Sequence, residues 1–274
     1  MTKIAIQGIQ GCFHEMAARK HFSSGDTEFI ECNTFRQLCE SLKEGKCDKG
    51  IMAIENTLAG SLLPNYSLLS KYKLFISGEV YLRIQLHLMA IPGAKLNDVR
   101  TVMSHPVALA QCEDFLDTLG DIEIREYHDT AAAAKWIAGQ KMKDIAAVSN
   151  ELSSELYGLN ILERNIETHK ENYTRFLVLD RDMPIIENAN KASLSLEVSH
   201  QPGSLVEVLK IFSDYKLNLT KIQSLPIIGK PYQYAFKVDL TFEKSEYLYA
   251  ALQDETVMES HVTVQGIYRE GSYL

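Results

Sequence analysis

The stretch ENYTRFLVL, from Glu171 to Leu179, sets a hydroxyl (Thr174) and a guanidinium (Arg175) at the mouth of an unbroken apolar run. Phe176 to Leu179 read as a buried strand. A permanently charged group beside such a strand has two readings. Either it anchors the strand end through an internal ion pair, or it faces an anionic ligand.

A second polar group follows another apolar strand, in AIENTLAGS (Ala53 to Ser61). Glu55, Asn56, Thr57 and Ser61 gather where a strand ends. Helix capping accounts for one of them and not for all. In SHPVALAQC, Gln111 lies within a helix, where its amide can project towards the same crevice. GIQGCFHEMAA joins a strand to a helix, and its glycines (Gly8, Gly11) let backbone N–H groups approach an anion at the helix start. It lacks the G-x-G-x-x-G spacing of a dinucleotide site. Cys12 with His14 has no further ligands nearby for a metal, and Asp129 in HDT reads as a helix cap rather than part of a triad.

These residues need elements to position them. From the N-terminus to about residue 180, strand and helix signals alternate, as a parallel sheet flanked by helices requires. The helix at TFRQLCESLKEG opens with a Thr34/Gln37 capping box, and another begins with Pro106. The rhythm restarts after the joining segment Gly78 to Met89, which predicts two lobes with a ligand crevice at the strand ends. Beyond RDMPIIENANK the order becomes βαββαβ, that of a ferredoxin-like sandwich.

At 274 residues the chain has room for two cores. A formal net charge of -8 argues against nucleic acid or anionic membrane as a general partner. The N-terminal MTKIAIQG lacks the pattern of a signal peptide, and no segment reaches the roughly 18 apolar residues of a membrane span. Five cysteines without a C-x-x-C pair point to neither a disulfide framework nor zinc, and the expected compartment is the cytoplasm.

Taken in order, IENTLAGS, SHPVALAQC, DTAAAA, YGLNILERNI and NYTRFLVL resemble the prephenate dehydratase family, and PGSLVEVLKIF with NLTKIQSLP resembles the ACT regulatory domain that follows it. The resemblance implies an α/β fold: a two-lobed, periplasmic-binding-protein-like (type II) catalytic domain over 1–184, with lobes of about 1–80 plus 165–184 and 81–164. A ferredoxin-like ACT domain would follow over 192–271. It implies decarboxylating dehydration of prephenate to phenylpyruvate, with no cofactor and no metal. The alternatives are arogenate dehydratase or a non-catalytic amino-acid or solute-binding protein.

By this resemblance Thr174, Glu55, Asn56 and Gln111 are catalytic, and Gly11, Cys12, Thr57, Ser61, Arg175 and Phe176 bind substrate. Thr174 would donate to the departing oxygen. Arg175 would clamp a substrate carboxylate or pair with Glu55. L-Phenylalanine is the expected effector, bound by Gly203, Ser204, Leu205, Asn218, Gln223, Ser224, Leu225 and Pro226 in a homodimer or homotetramer. The chain departs from the family in carrying Cys12 and His14 where threonine and serine are usual. It has Gln223-Ser224-Leu225-Pro226 for the common Glu-Ser-Arg-Pro, and Gly203-Ser204-Leu205 for Gly-Ala-Leu.

Overall fold

A computed structural model describes residues 1–23, 25–227, 229 and 232–272. The chain opens with β1 (Thr2–Gln7), α1 (Phe13–His21), β2 (Thr27–Cys32), α2 (Phe35–Lys43), β3 (Lys49–Asn56), β4 (Gly60–Ser61), α3 (Leu63–Tyr72) and β5 (Phe75–Arg83). It continues through β6 (His87–Ala90), β7 (Thr101–Ser104), α4 (Pro106–Gln111), α5 (Glu113–Asp117) and β8 (Glu123–Glu126). Then come α6 (Thr130–Gly139), β9 (Ile145–Ser149), α7 (Glu151–Tyr157), β10 (Asn160–Glu163) and β11 (Tyr173–Asp180). The last elements are β12 (Lys191–Glu197), α8 (Ser204–Asp214), β13 (Asn218–Pro226), β14 (Tyr234–Thr241), α9 (Ser245–Leu252), α10 (Glu255–Glu259) and β15 (Thr263–Tyr268).

These elements form two compact units. One holds Met1–Leu68 and Val80–Phe176, the other Leu69–Glu79 and Leu177–Ser272. The division falls inside β5 and β11, so each of those strands contributes one half to each unit. The sequence reading placed the change of pattern near 190, which is where β12 begins. It did not foresee that 69–79 groups with the C-terminal elements.

The first unit contains two sheets, as the two-lobed α/β reading expected. One has the order β2-β1-β3-β11-β5, with β4 paired to β3. Its β1 runs parallel to both β2 and β3. The buried faces of Ile4, Ile6, Ile51 and Ile54 make it a continuous apolar layer. The other sheet has the order β10-β6-β9-β7-β8 and packs Leu88, Val102, Val148 and Leu116 on one side. Met89, Ala133, Ile137 and Ala147 pack on the other.

The chain crosses between these sheets twice, and the crossings are bonded to each other. Ile84 N–H donates to the Asn172 carbonyl at 2.7 Å, and Ile166 N–H donates to the Leu86 carbonyl at 2.8 Å. The Glu167 carboxylate accepts from Leu86 N–H at 2.9 Å. The two connections are thus bonded side by side.

Local chemistry explains the helix limits. Gln37 N–H donates to Thr34 Oγ1 at 3.1 Å, as the capping reading expected. Asn150 caps α7 by accepting from Ser153 N–H at 3.0 Å, and Gly158 closes it in the left-handed region. The helix that begins at Pro106 is short, and a second short one follows it after a break at Cys112.

In the second unit, β13-β14-β12-β15 form a four-stranded sheet covered by α8, α9 and α10. Its core is Leu194, Leu196, Val208, Phe212, Val238 and Leu248. Segment 69–79 belongs to the same unit and approaches this sheet very closely. A Cβ at Gly266 would lie 2.2 Å from the Ile76 carbonyl oxygen, so only glycine fits there. Lys191 Nζ meets Glu79 Oε1 at 2.8 Å, with both side chains almost wholly buried, and Gly271 N–H donates to the same oxygen. Lys237 is buried with hydroxyl partners, Ser70 at 2.9 Å and Ser195 at 3.0 Å. Burial pushes its ammonium down to about 8.

Candidate active site

A cavity of about 420 Å³ opens in the first unit between its two sheets. Asn56, Thr174 and Phe176 reach it from the ends of β3 and β11. Gln111 reaches it from α4, and Ile84 and Leu86 from the crossing segment. The first residues of three helices also line it: Phe13 and His14 of α1, Val107 and Ala108 of α4, and Thr130 of α6. Converging helix starts present partial positive charge and suit an anion. The described wall carries no lysine or arginine, so that role falls to dipoles and neutral donors.

The polar wall is one connected network. Asn56 Nδ2 donates to Asn172 Oδ1 at 2.7 Å, to Thr174 Oγ1 at 3.0 Å and to the Tyr173 carbonyl at 3.2 Å. Asn56 Oδ1 accepts from Leu58 and Ala59 N–H, which fixes the orientation of the amide. Because Thr174 Oγ1 accepts from Asn56, its own proton points elsewhere, and it has no acceptor among the described residues. Asn172 Nδ2 donates to Gln111 Oε1 at 3.1 Å, which leaves the Gln111 Nε2 group as a donor. The wall therefore offers hydrogens, as an anionic guest with a departing oxygen requires.

Strand alternation decides which residues of TRF reach the cavity. Thr174 and Phe176 line it, so Arg175 between them points to the opposite face, where it is buried. That placement does not make Arg175 a wall residue. Glu55 is half-buried on β3 opposite Ser61 of β4, and neither side chain is part of the wall. Thr57 is bound to the chain before β11: its hydroxyl donates to the Glu171 carbonyl and accepts from Tyr173 N–H. It secures the strand entrance.

Gly11 has a different task from the anion contact expected of it. Its N–H donates to Glu15 Oε2 at 2.7 Å, and its carbonyl accepts from Asn150 Nδ2 and Ser153 Oγ. Its φ of +88° and a Cβ position only 3.1 Å from Ser153 Oγ both call for glycine. Gly11 thus ties the two sheets together beside the cavity.

His14 and Asp129 on the wall were not read from the sequence as site residues, whereas Cys12 was expected there. His14 is held down to about 3 by burial and stays neutral. Its Nε2 accepts from Ala53 N–H at 3.3 Å, and its ring packs edge-on against Phe176. The Cys12 thiol lines the cavity and is pushed up to about 12 by burial. Asp129 caps α6 through Ala132 N–H at 2.8 Å, as expected, yet it also lines the cavity, and burial raises its carboxyl. Asn172, wholly buried at the centre of the network, was also missed. Its only sequence signal is its place two residues before Thr174.

In the second unit, Gly203, Ser204 and Leu205 line a hollow of about 380 Å³ with His200, Tyr234 and Phe236. Asn218, Gln223, Ser224, Leu225 and Pro226 lie on the edge strand β13 and are not part of its lining. No group of metal-ligating side chains gathers among the described residues, and no described helix is long and apolar enough to cross a membrane.

Known proteins resemble this chain in both sequence and fold. The family profile described as prephenate dehydratase matches residues 4–184. Arogenate dehydratase/prephenate dehydratase 2, chloroplastic, of Arabidopsis thaliana is 39% identical over 89% of this chain and 66% of its own length. The chain thus spans just under two thirds of that relative. The solved structure of GqqA, described as a novel type of quorum quenching acylase, superposes with a TM-score of 0.86 at 32% identity, covering 98% of each chain. Prephenate dehydratase from Arthrobacter aurescens, solved in complex with L-Phe, gives a TM-score of 0.83 at 25% identity over 97% of this chain and 90% of its own. With the profile covering most of the chain and a cavity of hydrogen donors at the ends of its strands, this chain belongs to the prephenate dehydratase family.

Proposed function

We propose that the chain converts prephenate to phenylpyruvate, carbon dioxide and water. The observation that carries this reading is the Asn56 Nδ2 to Thr174 Oγ1 bond, which leaves the threonine proton free for a departing oxygen. In the reaction the bond from ring to carboxylate breaks, and its electron pair enters the ring. The carbon–oxygen bond breaks in turn, and the ring becomes aromatic. The oxygen leaves with its pair and gathers a proton to become water. Thr174 hydrogen-bonds that oxygen as its charge develops, with solvent as the ultimate proton source.

The helix starts and Gln111 Nε2 suit the two carboxylates, while Phe176, Ile84 and Leu86 keep the ring dry. Glu55 and Arg175 then support β3 and β11 from outside the wall.

Arogenate is the second reading, and one observation favours it: Asp129 brings a carboxylate to the wall that an ammonium could meet. Parallel assays settle the choice. Phenylpyruvate from prephenate is the expected product, while a large preference for arogenate reverses the assignment. Tight ligand binding without turnover would instead mark a binding protein. The acylase activity named for GqqA would need an activated nucleophile. The Cys12 thiol at about 12 beside a neutral His14 is not prepared for that role.

We infer further that the C-terminal unit is an ACT regulatory domain answering to L-phenylalanine. The hollow beside Gly203 to Leu205 supports this, as does the Phe complex of the Arthrobacter aurescens protein. A homodimer or homotetramer fits the open edge of β13. The buried, unlinked cysteines fit a reducing compartment such as the cytoplasm. Phenylalanine should inhibit the native chain and lose its effect on Ser204→Trp, which fills the hollow. Retained inhibition would move the effector site elsewhere.

A further inference from the structure

A primary amide presents oxygen and NH2 with nearly the same shape, so only its hydrogen bonds decide which end faces a ligand. At the cavity two such amides, Asn56 at the end of β3 and Gln111 at the end of α4, are both touched by one side chain. Asn172 accepts from Asn56 Nδ2 through Oδ1 and donates to Gln111 Oε1 through Nδ2. It is wholly buried, its backbone carbonyl accepts from Ile84 N–H, and its side-chain amide is bonded at both ends, so it is in no position to turn.

From this geometry we infer that Asn172, itself oriented by Asn56, is a positioning residue that sets the polarity of the Gln111 amide and so completes the donor surface of the wall. This deepens the dehydratase reading and rests on it. With Gln111 Oε1 occupied, Nε2 is turned to the guest. The Asn56 NH2, aimed by the Leu58 and Ala59 bonds to its oxygen, meets Asn172 and Thr174, so the threonine keeps its proton for the leaving oxygen. If Asn172 lost its NH2 group, Gln111 would turn, and its oxygen would face a substrate carboxylate.

Asn172→Asp separates this role from simple packing. The ionised carboxylate still accepts from Asn56 but cannot donate to Gln111, whereas the protonated form can do both. Burial raises such a carboxyl, which brings its titration within an assayable range. The expected result is a prephenate KM raised about 30-fold at pH 8 and recovering as the pH falls, as loss of one oriented bond to a charged group predicts. The wild type should show no such recovery. Asn172→Leu should lose activity without gaining this pH dependence. A loss in Asn172→Asp that is equal at every pH, or near-normal kinetics, overturns the inference.

Nitrogen-edited NMR of the ligand-free protein tests the relay without turnover. The Gln111 side-chain amide signals, assigned by their absence in Gln111→Ala, should move with pH in Asn172→Asp and stay fixed in Asn172→Leu. Immobile signals in Asn172→Asp would sink the relay even in an active dehydratase. Moving signals in a protein that leaves prephenate untouched would sink the dehydratase reading and leave the relay standing.

Discussion

The cavity network and the C-terminal unit bury polarity in different ways. At the cavity the linked groups are amides and a hydroxyl, joined through Asn172 and Asn56, with hydrogens left over for a guest. In the C-terminal unit they are charges: Lys191 on Glu79, and Lys237 among serine hydroxyls. Neutral networks can bind an anion without first giving up an ion pair. Buried charges do the reverse, since their strength is spent on one another, and the full cost of desolvation returns if one partner is lost.

The largest effect should come from breaking the charged side of this contrast. Lys191→Met should lower stability by about 3–5 kcal/mol in urea unfolding, because it takes the cation away from the buried Glu79 carboxylate. Adding Glu79→Leu should restore most of that loss. Equal stability of the single and double variants would erase the distinction. On the neutral side, Thr174→Ala should lower kcat by about 10²-fold or more with an unchanged unfolding midpoint. A shifted midpoint with intact turnover would assign Thr174 to the fold.

A third effect separates the units by pH. The Lys237 ammonium titrates near 8 in the folded chain against 10.5 in its ordinary state. Between those values the unfolded chain holds more protons, so stability should rise with pH, by about 3 kcal/mol in all. Lys237→Met should flatten that rise, and an unchanged slope would place its origin elsewhere. Gly8→Ala should give the smallest change. At φ +106°, with Asp129 Oδ2 3.1 Å from the added Cβ, it should cost about 1 kcal/mol in thermal unfolding and reduce turnover only slightly. Full stability would show that the turn accommodates a side chain.

Local signals made much of the fold legible. Thr34 with Gln37, Pro106, Asp129 and Gly158 each mark a helix end through chemistry within a few residues. The βαββαβ order after residue 190 could be read from periodicity, apart from the short helix α10, which the periodicity did not separate from α9. Segment 69–79 could not, because its place with the C-terminal sheet depends on long-range fits such as Ile76 against Gly266.

The site divides along the same line. Thr174, Asn56 and Gln111 stand out as polar residues at strand ends or on a helix, and the structure brings them into one network. Sequence proximity also drew in Arg175, Thr57 and Ser61, although alternation and backbone pairing direct them away from the wall. Asp129 has an adequate local explanation as a cap, which concealed its second face. Asn172 was hidden because a buried amide has no pattern of its own.

Strand β11 carries Thr174 and Phe176 at one end and runs on into the other unit, with Arg175 turned away between them. Sliding that strand by a single residue would withdraw the hydroxyl and thrust a guanidinium into the chamber. The register of β11 therefore decides whether the chamber meets a hydroxyl or a cation, and its buried apolar half is what holds that register in place.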